Sequence, residues 1–134
     1  MEVPVNVGAV AVAALAGYVV GGLWYGPLFG ETWRKLSGAA EAKPTPSVIV
    51  IGLISSLIMS FVLSYALLYA DAYHRTSGVT SGLLAGFFSW LGFIAPVTVG
   101  SVLYESKPWK LWLLNNGYWL LSLLVMGVIL AVWK

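Results

Sequence analysis

The chain has 134 residues, of which 60% are hydrophobic and 9% are charged, and its formal net charge is +2. A soluble domain of ordinary composition has about 25% charged residues, and a chain this short cannot hide so much apolar surface from water. The composition therefore excludes a water-soluble fold, the absence of cysteine excludes disulfides and thiolate metal sites, and the lack of a basic run argues against nucleic-acid binding.

Four apolar segments are long enough to cross a bilayer, which takes about 20 residues in a helix. They cover residues 5–28, 46–70, 78–104 and 111–133. We therefore predict an all-α integral membrane protein, in which a single domain of residues 1–134 contains four transmembrane helices and has the lipid bilayer as its partner.

The polar segment between the first two predicted helices contains a second kind of helix. Phe29, Trp33 and Leu36 recur at helical spacing and Gly38 can end a helix, which predicts a short amphipathic helix in the head-group region. Thr45 and Pro46 are typical of an N-cap and a first helical residue, so the second membrane helix is expected to begin there.

Small residues recur at every fourth position of the predicted membrane helices. In lipid, such ridges let helix backbones approach closely where hydrophobicity cannot drive association. The ridges contain Ala9, Ala13, Gly17 and Gly21; Gly22, Gly26 and Gly30; Gly52, Ser56, Ser60 and Ser64; and Gly78, Gly82 and Gly86. One interpretation is packing within the four-helix bundle. The other leaves a ridge of the first or third helix for a second copy, and we predict a homo-oligomer or a subunit of a membrane complex.

Pro96 lies inside the third predicted helix. Its ring nitrogen cannot donate a hydrogen bond to the carbonyl of Gly92, which predicts a kink. Such a kink can simply shape the packing, or it can present free carbonyls to an ion or a substrate.

The distribution of basic residues predicts how the protein is oriented. Cytoplasmic loops of membrane proteins are enriched in Lys and Arg. Loops 29–46 and 104–110 contain Arg34, Lys35, Lys43, Lys107 and Lys110, whereas only Arg75 and Lys134 lie on the other side. We therefore predict that both loops are cytoplasmic and that both termini lie outside the cell membrane.

The two halves of the chain resemble each other weakly. GGLWYGPLFGETWRKL and GSVLYESKPWKLWLL share a tyrosine, a glutamate and an ending similar to Trp-Lys-Leu, although gaps are needed to align them. Two repeats of two helices each would have the same orientation, which agrees with both loops being cytoplasmic.

Ionisable residues are missing from the centres of the predicted helices. Such residues usually mark proton relays and ion pathways, so the sequence argues against a proton-coupled cation exporter. His74 lies between Asp71 and Arg75, and an ion pair of Asp71 with Arg75 explains this group better than a metal site, which needs more ligands. No catalytic residue, metal or cofactor is predicted.

Asn115 and Asn116 are the most unusual polar residues of the predicted helices. They lie about 10–12 Å from the start of the fourth helix, where an unpaired amide is costly. They either hold helices together or line a polar site. Both predicted cytoplasmic loops also combine acids, bases and tryptophans, which predicts a shallow polar pocket in which Glu31 or Glu105 pairs with Arg34 or Lys110. The candidate polar site comprises Trp24, Tyr25, Glu31, Trp33, Arg34, Glu105, Lys110, Asn115, Asn116 and Tyr118.

Three segments, GGLWYGPLFGETWRK, WLGF and YESKPWKLWLLNNGYWLL, resemble the signature segments of the domain-of-unknown-function 1761 family. These are small bacterial and archaeal membrane proteins with a WYGPLFG-like end of the first helix and a late loop of the form acidic-x-[KR]-P. The resemblance covers nearly the whole chain and implies a four-helix membrane architecture, but no activity. The matching residues are Trp24, Tyr25, Gly26, Phe29, Gly30, Trp33, Glu105, Pro108, Asn115, Gly117 and Tyr118.

Three functions remain open at this point. The lack of buried charge and the small-residue ridges favour a non-enzymatic membrane component, either an oligomeric scaffold or an accessory subunit. Pro96, the two amides and the weak repeat favour a small transporter or pore for a neutral or weakly polar solute. The bases and tryptophans of the two loops favour a lipid-binding protein or membrane enzyme that holds a phosphate head group.

Overall fold

Four long apolar helices dominate the structure, which is a computed structural model. It describes residues 6–38, 45–74 and 78–133, and for residues 70–74 only the backbone. Span 1 (Val7–Leu28), span 2 (Pro46–Tyr69), span 3 (Gly78–Leu103) and span 4 (Trp109–Val132) are each long and apolar enough to cross a membrane. The described part of the chain contains no strand. The predicted all-α fold with four membrane helices is therefore confirmed.

In the connection between spans 1 and 2, the helices begin and end at residues that the sequence marks. A connecting helix, Gly30–Ser37, follows span 1 and ends at Gly38, whose φ of 72° lies in the left-handed region that glycine adopts freely. The helix that contains span 2 is Pro46–His74, and the Thr45 hydroxyl oxygen accepts a hydrogen bond from the Val48 N–H at 3.3 Å. Both features agree with the prediction for the first loop.

Span 4 is the central helix of the bundle and packs extensively against spans 1 and 3, while span 2 packs mainly against span 1. Because alternate spans run in opposite directions, the two termini meet, and the Asn6 side-chain amide donates to the Trp133 carbonyl at 3.4 Å. The core combines small residues of span 1 with larger ones of spans 2 and 4, namely Ala9, Val10, Ala13, Leu63, Leu67, Leu123, Met126 and Leu130. The two predicted loops therefore lie together at the opposite end, called here the loop end.

Three of the predicted small-residue ridges face other helices of the same chain, whereas Gly22 and Gly26 of the remaining one have no neighbouring atom where a Cβ would lie. A Cβ atom on Gly82 would clash with the Gly127 backbone, and one on Gly86 would clash with the Leu123 backbone, so spans 3 and 4 are in backbone contact. Gly17 faces the Met126 and Ser122 side chains in the same way.

Two other glycines of the predicted ridges, Gly21 and Gly78, differ in their surroundings. Gly21 faces the Tyr118 ring, whereas Gly78 has no such neighbour and a φ of 67°. Association with a second copy stays a prediction, and the packing of Gly17, Gly21, Gly82 and Gly86 against the chain's own helices gives it no support.

Spans 1 and 3 each contain a five-residue π-helical segment, Trp24–Leu28 and Trp90–Ile94. In the first, the Phe29 N–H donates to the Trp24 carbonyl at 2.8 Å. The second ends at Ile94, two residues before Pro96, and the helix restarts at Ala95. The interruption of span 3 thus lies where the sequence predicts a kink, because proline cannot continue the regular hydrogen-bond pattern.

Candidate functional site

The two loops are in contact at the loop end. The Lys107 ammonium group donates a hydrogen bond to the Ser37 carbonyl at 3.2 Å, which joins the end of the connecting helix to the loop before span 4. The predicted pocket placed Glu31, Glu105 and Lys110 at this junction. All three are exposed, and none of them lines the cavity beside this junction.

An open cavity of about 740 Å³, called here the outer cavity, lies beside this junction. It is formed by the π-helical end of span 1, the connecting helix and about the first three turns of span 4. Its lining residues are Tyr25, Gly26, Gly30, Trp33, Arg34, Asn115 and Trp119. Four of the predicted site residues, Tyr25, Trp33, Arg34 and Asn115, are therefore brought together.

Tyr25 is the organising side chain of the outer cavity. Its hydroxyl donates to the Asn115 side-chain carbonyl at 2.8 Å, and its ring contacts the Trp33 and Tyr118 rings edge-on at centroid distances of 5.8 and 5.2 Å. Within the described residues, this bond from Tyr25 is the only hydrogen bond of the Asn115 side chain, and its side-chain oxygen accepts it. The side-chain NH₂ group makes none among these residues. The cavity thus has an amide donor available to a ligand.

The π-helical segment explains why Trp24 and Tyr25 both reach span 4. The Trp24 indole N–H donates to the Leu114 carbonyl at 3.0 Å, beside the Tyr25–Asn115 hydrogen bond. The Trp24 ring is supported by Phe29 at a centroid distance of 4.6 Å. Gly30 follows directly, and a Cβ atom there would collide with the Tyr25 carbonyl, so only glycine allows the connecting helix to turn this closely over the segment.

Asn116 lies on a different face of span 4 and does not line the outer cavity. It is 3% exposed, and its side-chain oxygen accepts from the Trp90 indole N–H at 3.0 Å. Its NH₂ group donates to the Thr98 hydroxyl and to the Trp112 carbonyl, both at 3.0 Å. The hydrogen-bonding groups of this amide are all used, and the bonds to Trp90 and Thr98 hold span 3 against span 4.

A second cavity, called here the inner cavity, lies next to the outer one, between spans 1, 2 and 4. Its volume is about 520 Å³, and the two cavities share Tyr25 and Trp119. Its walls carry hydroxyl groups and small residues, and its lining includes Tyr18, Gly21, Gly22, Gly52, Ser55, Ser56, Met59, Tyr118, Ser122 and Met126. Gly22 and Ser55 are exposed, so the cavity opens at the side of the bundle.

Several residues of these sites were missed by sequence reasoning. Trp119 lines both cavities, and its position four residues after Asn115 puts it on the same helix face. Trp90 and Thr98 pair with Asn116. The WLGF segment contains Trp90 and Thr98 follows Pro96 closely, but neither signal says which residue of span 4 they meet.

The remaining sequence predictions fall on other parts of the chain. Arg75, the predicted partner of Asp71, lies outside the described residues, as do Lys43 and Lys134. The helix that contains span 2 includes Asp71 and His74. Among the described residues, no group of three or more His, Asp or Glu side chains could hold a metal ion.

Four apolar spans joined by short connections define a small multi-pass membrane protein. The chain belongs to the domain-of-unknown-function 1761 family, because the model of that family, described as a protein of unknown function, matches residues 8–131. The resemblance found in the sequence is therefore confirmed. Searches of curated proteins and of solved structures found no match.

Proposed function

We propose that the protein is a non-enzymatic membrane component that binds the anionic head group of a membrane amphiphile in the outer cavity. The observation that carries this proposal is the unused Asn115 amide donor in an open cavity that Arg34 also lines. Guanidinium and amide groups donate hydrogen bonds to phosphate and carboxylate oxygens, and a charged donor makes the stronger bond.

The position of the cavity along the spans suits an amphiphile. Asn115 lies six residues after the start of span 4, about 9 Å along its axis, and Tyr25 lies three residues before the end of span 1. This level corresponds to the boundary between head groups and acyl chains. Trp33, Trp119 and Tyr25 supply the amphipathic rings that favour this boundary.

Packing inside the bundle favours binding over conduction. Ala13 and Ser60 are 0% exposed and Met126 is 1% exposed, so the centre of the described bundle is filled by side chains. The two cavities lie to the side of this core. A solute pathway would have to displace these groups, whereas a lipid-like ligand can enter from the side.

Retention of lipids by the purified protein tests the proposal. The protein is reconstituted in nanodiscs that contain equal amounts of phosphatidic acid and phosphatidylcholine and is then released from them. The lipids that stay bound to it are identified by native mass spectrometry. We expect preferential retention of phosphatidic acid, and Arg34→Gln should reduce this preference about tenfold. Lys110→Gln is the matched control, since this base is exposed and does not line the cavity.

A second pair of variants tests the place of binding without removing a polar group. Cβ atoms on Gly26 and Gly92 would both meet open space, and both glycines belong to π-helical segments, but only Gly26 lines the outer cavity. Gly26→Leu should reduce retention of phosphatidic acid, and Gly92→Leu should not. Equal retention of the two lipids by the unchanged protein would contradict the proposal.

We also infer that the outer cavity faces the cytoplasm, with both termini outside. The support is the excess of basic residues in loops 29–46 and 104–110. A reporter that is active only in the cytoplasm, fused after Lys134, should be inactive. Activity of that fusion would reverse the orientation.

A further inference from the structure

Ser122 is a buried hydroxyl group that makes no hydrogen bond of regular geometry within the described residues. It is 1% exposed, it lines the inner cavity, and the Tyr118 hydroxyl, one turn earlier on span 4, is its polar neighbour. Serines in membrane helices usually bond to a backbone carbonyl. Ser56 and Ser60 do so, donating to the Ala14 and Val10 carbonyls at 2.6 and 2.9 Å. Because an unpaired buried hydroxyl is costly, Ser122 indicates a partner that enters the cavity from outside the chain.

The inner cavity has room for such a partner. Its volume is about 520 Å³, and a Cβ atom on Gly22 would have no atom within 4 Å. The walls combine the apolar side chains of Met59 and Met126 with tyrosine and serine hydroxyls. This lining suits an apolar chain that carries an oxygen atom better than it suits a charged group, which would lose its hydration there.

The geometry of span 4 connects Ser122 with the outer cavity. Ser122 lies seven residues after Asn115, which is about 10 Å along the axis and nearly two whole turns, so the two side chains share one helix face. Trp119 lies between them and lines both cavities. A single elongated ligand can therefore contact both residues.

We propose that the inner cavity binds the first part of the ligand's apolar chain, and that the Ser122 hydroxyl donates a hydrogen bond to an acceptor oxygen within it, such as an ester carbonyl. This inference rests on the proposed function, because it places the anionic head group of the same amphiphile in the outer cavity. It names the ligand class more narrowly: an anionic, ester-linked lipid in preference to an ether-linked one.

The test compares two phosphatidic acids that differ only in having ester or ether linkages, offered together in phosphatidylcholine nanodiscs. The ester-linked lipid should be retained about fivefold better by the unchanged protein, the fold-change that corresponds to one net hydrogen bond. Ser122→Ala should abolish this difference while keeping the preference for phosphatidic acid over phosphatidylcholine. Ser60→Ala, which removes a buried serine that does not line the cavity, should leave the ester preference unchanged.

A neutral pair, diacylglycerol and dialkylglycerol, separates this inference from the proposed function. If the protein retains diacylglycerol better than dialkylglycerol and Ser122→Ala removes this difference, the inner site is supported. This holds even where phosphatidic acid is not preferred over phosphatidylcholine. Equal retention of ester and ether lipids in both pairs overturns the inference. If phosphatidic acid is still preferred in that case, the proposed function stands without it.

Discussion

Asn115 and Asn116 are neighbours in span 4, but they belong to two different parts of the molecule. Asn116 is buried between spans 3 and 4, where both ends of its amide are hydrogen-bonded. Asn115 lines the outer cavity, where its oxygen accepts from Tyr25 and its NH₂ group is unused among the described residues. Successive helical residues point about 100° apart, so the same side chain either holds helices together or forms part of a site, according to the neighbour that it meets.

The two π-helical segments differ in the same way. Both begin with tryptophan, and both tryptophans donate to span 4 within one turn, Trp24 to the Leu114 carbonyl and Trp90 to the Asn116 side chain. The segment of span 1 borders an open cavity, whereas that of span 3 closes a buried contact. One interrupted helix of this protein thus lines a cavity, and the other makes a buried helix contact.

The largest expected effect on stability comes from Asn116→Leu, because it removes hydrogen bonds to Trp90 and Thr98. We expect a loss of about 2 kcal/mol in the free energy of unfolding, since each interhelical hydrogen bond contributes about 0.6 kcal/mol and the Trp90 N–H would lose its acceptor. Thermal unfolding in detergent measures it. Asn115→Leu should cost clearly less, and equal losses would refute the division between the two amides.

A smaller difference is expected between Trp90→Phe and Trp24→Phe. The Leu114 carbonyl also accepts a hydrogen bond within its own helix, so it stays paired when the Trp24 N–H is removed. The Asn116 oxygen would keep only the Thr98 hydroxyl, at 3.4 Å. Trp90→Phe should therefore be the more destabilising by about 1 kcal/mol. The reverse order in the same unfolding assay would show that Trp24 is the main contact.

The smallest effect on stability is expected for Ser122→Ala, because this hydroxyl makes no hydrogen bond of regular geometry within the described residues. Without added lipid, this variant should unfold within about 0.5 kcal/mol of the unchanged protein, whereas Ser60→Ala should cost about 1 kcal/mol because its hydrogen bond to the Val10 carbonyl is lost. A large loss for Ser122→Ala alone would mean that this hydroxyl is part of the packing.

The sequence was sufficient to predict the fold because the bilayer imposes simple rules on it. Apolar length defines the four spans, Thr45 and Pro46 define the start of span 2, and Gly38 defines the end of the connecting helix. These are local signals, which need no knowledge of the neighbouring helices.

The site could be predicted only in part. The loop motifs predicted a site that includes Tyr25, Arg34 and Asn115, and these three residues line the outer cavity. The sequence could not separate Asn115 from Asn116, because helical periodicity gives the angle between two side chains but not the helix that each one faces. Glu105, an exposed residue, was included for its charge, although a flexible charged side chain at a loop is usually solvated.

The most direct test of the account measures lipid retention and thermal stability together for Asn115→Leu and Asn116→Leu, in nanodiscs with equal amounts of phosphatidic acid and phosphatidylcholine. We predict that Asn115→Leu loses most of the preference for phosphatidic acid and loses clearly less stability than Asn116→Leu, because Asn115 makes a single interhelical hydrogen bond, which its oxygen accepts from Tyr25. Asn116→Leu should unfold at a lower temperature and keep the preference below that temperature. If Asn115→Leu retains phosphatidic acid as well as the unchanged protein does, the outer cavity is not the binding site and the central claim is wrong.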